Sequence, residues 1–419
     1  MPNYENLTQE ELEETYTKCK DRYNQYKQRG LKLDMSRGKP GADQLDLSVG
    51  LLGEMSDYKA EDGTDCRNYG GIDGIPEIKR LFADLMEVRT DEVLAGGNAS
   101  LTLMFESAMI FTADKANRKY LCPSPGYDRH FAIAEHLGVE MIPIPMTSKG
   151  PDMAEIKKHI TDPAVAGLWC VPVYSNPQGI VYSDETVREL AALKPAAADF
   201  RIIWDNAYMV HTIDGDAAKV PCLLRECENC GNYDMALMFT SFSKVTFPGA
   251  GVVAMAASPA NLAKVKKHLG IQTIGPDKIN QLRHARFFKD VESIHQHMKK
   301  HADILRPKFN IVFDELAANL KGKGIGTWLI PKGGYFVAFD TLPGCAKRTI
   351  ALCADAGLIM TPAGATFPYG HDPEDKNIRI APTFPPPGQL KQAMELFCAA
   401  VELAALEKIL GADIRRVKT

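Results

Sequence analysis

From about Asp91 to Ser258, apolar runs of strand length alternate with helical stretches, and this alternation restricts the fold more than any other property of the chain. Repeated strand–helix units give a mainly parallel sheet, because a strand followed by a helix packs back onto its sheet through a right-handed crossover. The fold class expected is therefore α/β. A long helical stretch at 290–320, a strand-like run at 324–330, a turn at 332–334, a second strand at 335–339 and an amphipathic helix from about Gly388 to Leu410 follow. With the N-terminal segment they read as a smaller α+β domain. At 419 residues the chain exceeds one ordinary core, so two domains are expected: a large one over 48–290, and a small one from 1–47 and 291–419.

Three strand-like runs each deliver a polar residue to the end of a strand. The run Arg201-Ile202-Ile203-Trp204 leads into Asp205, with Tyr208 three residues on. A second, at 167–173, leads into Ser175-Asn176-Pro177. A third, at 235–239, leads into Thr240-Ser241-Phe242-Ser243-Lys244, with Pro248-Gly249-Ala250-Gly251 beyond. Open α/β sheets bind ligands at the carboxyl ends of their strands. Each feature alone is ordinary: a lysine after a strand is usually a solvated loop residue, Asp-x-x-Tyr a helix entry, Asn-Pro a turn. Their ordered combination matches what pyridoxal phosphate requires of a protein, namely a lysine amine for a Schiff base, an acid beside the pyridine nitrogen and donors to the phenolic oxygen. Lys244, Asp205 and Tyr208 would be the catalytic group, with Asn176 a second donor. A carboxylate against the pyridine nitrogen favours the charged ring, which then draws electrons from the substrate α-carbon more strongly.

This set resembles the fold-type I pyridoxal-phosphate aminotransferases. Asp34-Met35-Ser36-Arg37-Gly38-Lys39-Pro40-Gly41 and the arginine-free 248–251 segment are most similar to a bacterial aspartate aminotransferase subgroup related to the effector domains of MocR-type regulators. The resemblance runs from about Asp34 to the C-terminal helix. It implies a large domain bearing the cofactor and a homodimer with shared active sites.

The turn Gly96-Gly97-Asn98-Ala99-Ser100 before an apolar helix is a tight turn or an anion site, since amides at a helix N-terminus favour negative charge. The resemblance assigns the cofactor phosphate to Asn98, Ala99, Ser100 and Ser241, and to Tyr69 reaching from a neighbouring subunit. It also makes Tyr127 the aromatic over the cofactor ring, Arg379 the grip on the substrate α-carboxylate, and Gly38 a backbone contact to substrate, with Asn176 close to both ligands. One departure stands out: Gly251 occupies the place where many aminotransferases carry a phosphate-binding arginine. For a second substrate carboxylate, Arg37, Lys39 and Arg129 are candidates by position alone.

The activity these features imply is transfer of an amino group from an amino acid, expected to be aspartate, to a 2-oxo acid, expected to be 2-oxoglutarate. A β-lyase or decarboxylase using the same cofactor, or a non-catalytic effector-binding domain, are the alternatives; the stretch ahead of Asp34 is short for a helix-turn-helix. A net charge of -4 gives no reason to expect nucleic-acid binding. With no signal core and no membrane-length apolar run, a cytoplasmic location is expected. Cys222, Cys227 and Cys230, near His211, invite a zinc reading, but a paired second motif is missing and no metal is expected.

Overall fold

A computed structural model describes residues 3–112 and 117–411. The chain divides into two compact units: Met1–Gly41 with Asn176–Gly179 and Asp303–Thr419, and Ala42–Ser175 with Ile180–Ala302.

The larger unit is built on an eight-stranded sheet. Its spatial order is Val93–Ala95, Val253–Ala257, Ala236–Ser241, Arg201–Asp205, Val165–Cys170, Lys119–Ser124, Glu140–Thr147 and Gly150–Pro151. The five strands from Ala236–Ser241 to Glu140–Thr147 are mutually parallel. Val253–Ala257 runs against both of its neighbours, and Gly150–Pro151 closes the far edge as a short antiparallel hairpin. The parallel strands are apolar at nearly every position because both faces are covered, as such sheets require. Leu121, Leu168, Ile202, Trp204 and Met238 enter one core. Tyr120, Trp169, Ile203, Leu237 and Phe239 enter the other.

The smaller unit holds a parallel pair, Leu33–Met35 with Leu358–Met360, and an antiparallel sheet of Gly326–Trp328, Val337–Thr341 and Asn377–Ile380. The helix Gln9–Gln28 starts from a full capping box between Thr8 and Glu11, which satisfies two amides that a helix start leaves open. The C-terminal helix Pro387–Ile409 departs from the amphipathic pattern expected. Every residue from Leu396 to Leu406 is buried, because the helix packs on both Gln9–Gln28 and Ala346–Asp355. Glu402 survives within that stretch because Lys323, Arg22 and Tyr4 all bond its carboxylate.

No described helix is long and apolar enough to cross a membrane. All ten cysteines are free, and no group of three or more His, Cys, Asp or Glu side chains able to hold a metal occurs among the described residues.

Candidate active site

In the larger unit, neighbouring parallel strands end side by side and set the spacing of the candidate residues. Asp205 is the last residue of Arg201–Asp205 and pairs in register with Phe239 of Ala236–Ser241, so Ser241 and the Lys244 turn leave the next strand close by. Asp205 is only 3% exposed. Its Oδ2 lies 3.0 Å from His130 Nε2, while its Oδ1, also buried, has no hydrogen-bond partner among the described residues. A buried carboxylate oxygen left without a donor is costly, so this atom is set to receive one from a bound molecule.

His130 was not anticipated from sequence. It sits on the helix Asp128–His136, stacked on Trp169 at 4.3 Å between ring centroids and edge-on to Tyr127 at 5.0 Å. The only local signal was its position one helical turn after Tyr127.

Lys244 is half-buried, and its Nζ lies 4.9 Å from the centre of the Tyr208 ring. Burial pushes its pKa below the usual lysine value, while the Asp205 carboxylate pulls the other way. The net lowering makes a neutral amine more available near neutral pH.

Asn98, Ala99 and Ser100 stand at the start of the helix Ser100–Thr112, where the first amides have no intrahelical acceptor. The turn is tied to the Lys244 loop: Asn98 Nδ2 donates to Gly249 O at 3.3 Å, the Ser243 hydroxyl to Asn98 O at 3.0 Å, and the Ser241 hydroxyl to Ser243 Oγ at 3.1 Å. Gly251 has a steric reason to be glycine. A Cβ there would stand 3.0 Å from Ser243 N and 3.3 Å from Asn98 O, both backbone atoms. Tyr69, in contrast, is 80% exposed on a turn whose Gly70 carbonyl accepts from Lys278 Nζ at 2.6 Å.

In the smaller unit, Gly38, Asn176 and Arg379 gather around Phe336. The Arg379 guanidinium lies 4.9 Å from the Phe336 ring centre, and its Nη1 donates to Asn176 Oδ1 at 3.3 Å. Thr361 Oγ1, 3.4 Å from Arg379 Nε and 3.3 Å from Nη2, itself donates to the Ser36 carbonyl. A Cβ on Gly38 would fall 2.4 Å from Phe336 Cζ, so only glycine fits. Asn176 is buried, and its Nδ2 has no partner among the described residues. Phe336 and Thr361 are further residues that sequence alone did not single out. All four residues of the strand bearing Arg379, Asn377–Ile380, are buried. Arg37, Lys39 and Arg129 are all exposed; Lys39 lies over the Phe384 ring at 3.9 Å, and Arg129 Nε is 3.9 Å from Asp128.

A parallel-stranded sheet that ends in an orphaned aspartate oxygen, a desolvated lysine and a helix N-terminus defines the fold-type I transferase class. The family model for aspartate aminotransferase matches residues 7–413, and the chain belongs to that family. It is 43% identical to the aspartate aminotransferase of Corynebacterium glutamicum, over 93% of each chain. The crystal structure of an aspartate transaminase from Corynebacterium glutamicum superposes with a TM-score of 0.94 at 41% identity, covering 97% of this chain and 99% of that one. A weaker likeness, 26% identity over 233 residues, extends to the helix-turn-helix transcriptional regulator YcxD of Bacillus subtilis, covering 52% of this chain and 48% of that protein. The chain is thus an aminotransferase of α/β fold.

Proposed function

We propose that this aminotransferase works with pyridoxal 5'-phosphate, takes aspartate as amino donor and 2-oxoglutarate as acceptor, and acts as a cytoplasmic homodimer. The observation that carries the reading is the buried Asp205 Oδ1, an acceptor without a donor on the strand next to the one leading to Lys244. It fits a protonated pyridine nitrogen. The buried Nδ2 of Asn176, without a partner among the described residues, is a donor of the kind a phenolic oxygen takes. Bound there, the cofactor would supply an electron sink that stabilises charge at the substrate α-carbon.

The roles of the side chains follow from their surroundings. Lys244 would hold the cofactor covalently, and the downward direction of its shift favours the neutral amine that would take the proton from the substrate α-carbon. Asp205, backed by His130, would keep the ring nitrogen charged. Tyr208 and Asn176 would donate to the ring oxygen, and Tyr127 would cover the ring face. Asn98, Ala99, Ser100 and Ser241 offer amides and hydroxyls to a phosphate. Arg379, set against Phe336 and Thr361, would offer a fork to the substrate α-carboxylate, with Gly38 as a backbone contact.

The dimer reading is supported by the exposed Tyr69, Ile271 and Ile274, of which Tyr69 neighbours Gly70 and Ile274 neighbours Gly275, glycines in mutual contact. Ten free thiols fit a reducing cytoplasm. Similarity to the enzyme from Corynebacterium glutamicum supports the choice of aspartate.

The test is glutamate formation from aspartate and 2-oxoglutarate, together with borohydride reduction and peptide mapping of the labelled lysine. Label on a residue other than Lys244, or none, overturns the cofactor assignment. Release of pyruvate or an amine with no oxo-acid acceptor would instead mark a lyase or decarboxylase.

A further inference from the structure

Immediately beneath Lys244 lies a group of buried histidines with no role in the chemistry described above. Within the Lys244 turn the Phe242 carbonyl accepts from Val245 N at 3.0 Å and Thr246 N at 2.8 Å. The groups that follow are met by imidazoles. His211 Nε2 is 3.4 Å from Lys244 O, His297 Nε2 is 2.9 Å from Val245 O, and His284 Nε2 is 2.9 Å from the Thr246 hydroxyl. His301 Nε2 lies 3.2 Å from His297 Nε2. The Gln44 amide lies 3.0 Å from His301 Nδ1, and Ser48 Oγ is 3.3 Å from His297 Nε2. A Gln44 N–H given to Nδ1 leaves the His301 proton on Nε2, the nitrogen that lies against His297. His297 and His301 sit one turn apart on the helix Val291–Leu320, so a rigid element carries both.

We propose that His297 and His301 are positioning residues for Lys244: His297 is joined to the Val245 carbonyl, His301 backs His297, and together they fix the turn that aims the Lys244 amine. Proton transfer at carbon tolerates little angular error in the base, so a lysine on a turn needs such support. Their surroundings keep the rings neutral and hence able to donate one N–H without adding charge beside the amine. Burial pushes His301 down to about 4, with His297 acting in the same direction and Asp43 opposing. Burial also lowers His297, helped by Lys300, and brings His211 to about 3, helped by Lys244 and His301; His284 is lowered by burial against Asp277.

The inference rests on Lys244 carrying the cofactor, and the experiment separates the two. In the holoenzyme, the visible band of the lysine-bound cofactor is titrated with pH in the wild type and in His297→Leu, His301→Leu, His297→Gln and His301→Gln. The leucine variants are expected to shift the titration midpoint by about half a pH unit or more and to lower kcat about tenfold, with KM for the amino donor within about twofold. The glutamine variants, which keep an N–H, are expected to return toward the wild-type midpoint. Unchanged midpoints in the leucine variants, or equal shifts in leucine and glutamine variants, would overturn the proposal. Should the leucine variants not fold, Gln44→Met decides on the same terms, since it leaves both imidazoles in place and removes the amide that faces His301. A wild-type protein with no Lys244-dependent band would defeat the cofactor reading itself.

Discussion

His130 Nε2 stands 3.0 Å from Asp205 Oδ2, so a histidine 75 residues earlier in the chain holds one oxygen of the aspartate and leaves the other for a ligand. Replacing His130 with Leu would leave Asp205 Oδ2 without its imidazole partner and loosen the orientation of the carboxylate toward a cationic ligand. A fall in kcat of roughly 10- to 100-fold is expected, with a smaller change in cofactor affinity. Steady-state kinetics with titrated cofactor would check this; an unchanged kcat would show that the imidazole does not tune Asp205.

Arg379→Lys keeps the charge and loses the planar fork. The substitution is expected to lower kcat/KM for the amino donor by about 10- to 100-fold, mainly through KM. Phe336→Leu, which removes the surface under the guanidinium, should act in the same direction but less strongly.

Gly38→Ala places a methyl carbon 2.4 Å from Phe336 Cζ, a distance at which one group has to move. A destabilisation of about 1–3 kcal/mol is expected from such overpacking. Thermal unfolding of Gly38→Ala and of the double variant with Phe336→Leu would test it, because relief in the double variant assigns the cost to this pair.

Stability should depend on pH through His301, whose folded pKa of about 4 lies below the ordinary value of 6.5. Between those two values the unfolded chain binds a proton that the folded one does not, so stability rises with pH and is lost as pH falls from 6.5 toward 4. The slope from this one group approaches about 1.4 kcal/mol per pH unit. Urea midpoints measured across that window should change less steeply in His301→Gln than in the wild type.

If Tyr69 serves a neighbouring subunit, Tyr69→Ala and Lys244→Ala proteins should complement each other. Random mixing of subunits gives hybrids in half of the dimers, each with one native site, so about a quarter of the wild-type sites should return. No recovery after mixing would argue against a shared site.

Much of this was legible in the sequence because it is local. The end of a strand at Asp205, the helix start at Ser100 and the capping box at Thr8 are each written within a few neighbouring residues. The partners that complete the site are not local. His130 meets Asp205 from a helix 75 residues earlier in the chain, and Thr361 reaches Arg379 across 18 residues, so neither contact leaves a period or motif to read. The antiparallel course of Val253–Ala257 was hidden for the same reason, since an apolar strand carries no mark of its neighbour's direction. The buried C-terminal helix shows the limit of hydrophobic patterning: Glu402 looks like a solvent-facing position until Lys323 and Arg22 are brought to it by folding.

The crowding at Gly251 bears on engineering. A guanidinium grafted at that position needs the main chain of Ser243 and Asn98 to give by a few tenths of an ångström, because the neighbours there are backbone rather than a side chain that could swing aside. A redesign that seeks a stronger anion anchor here therefore has to consider both loops together.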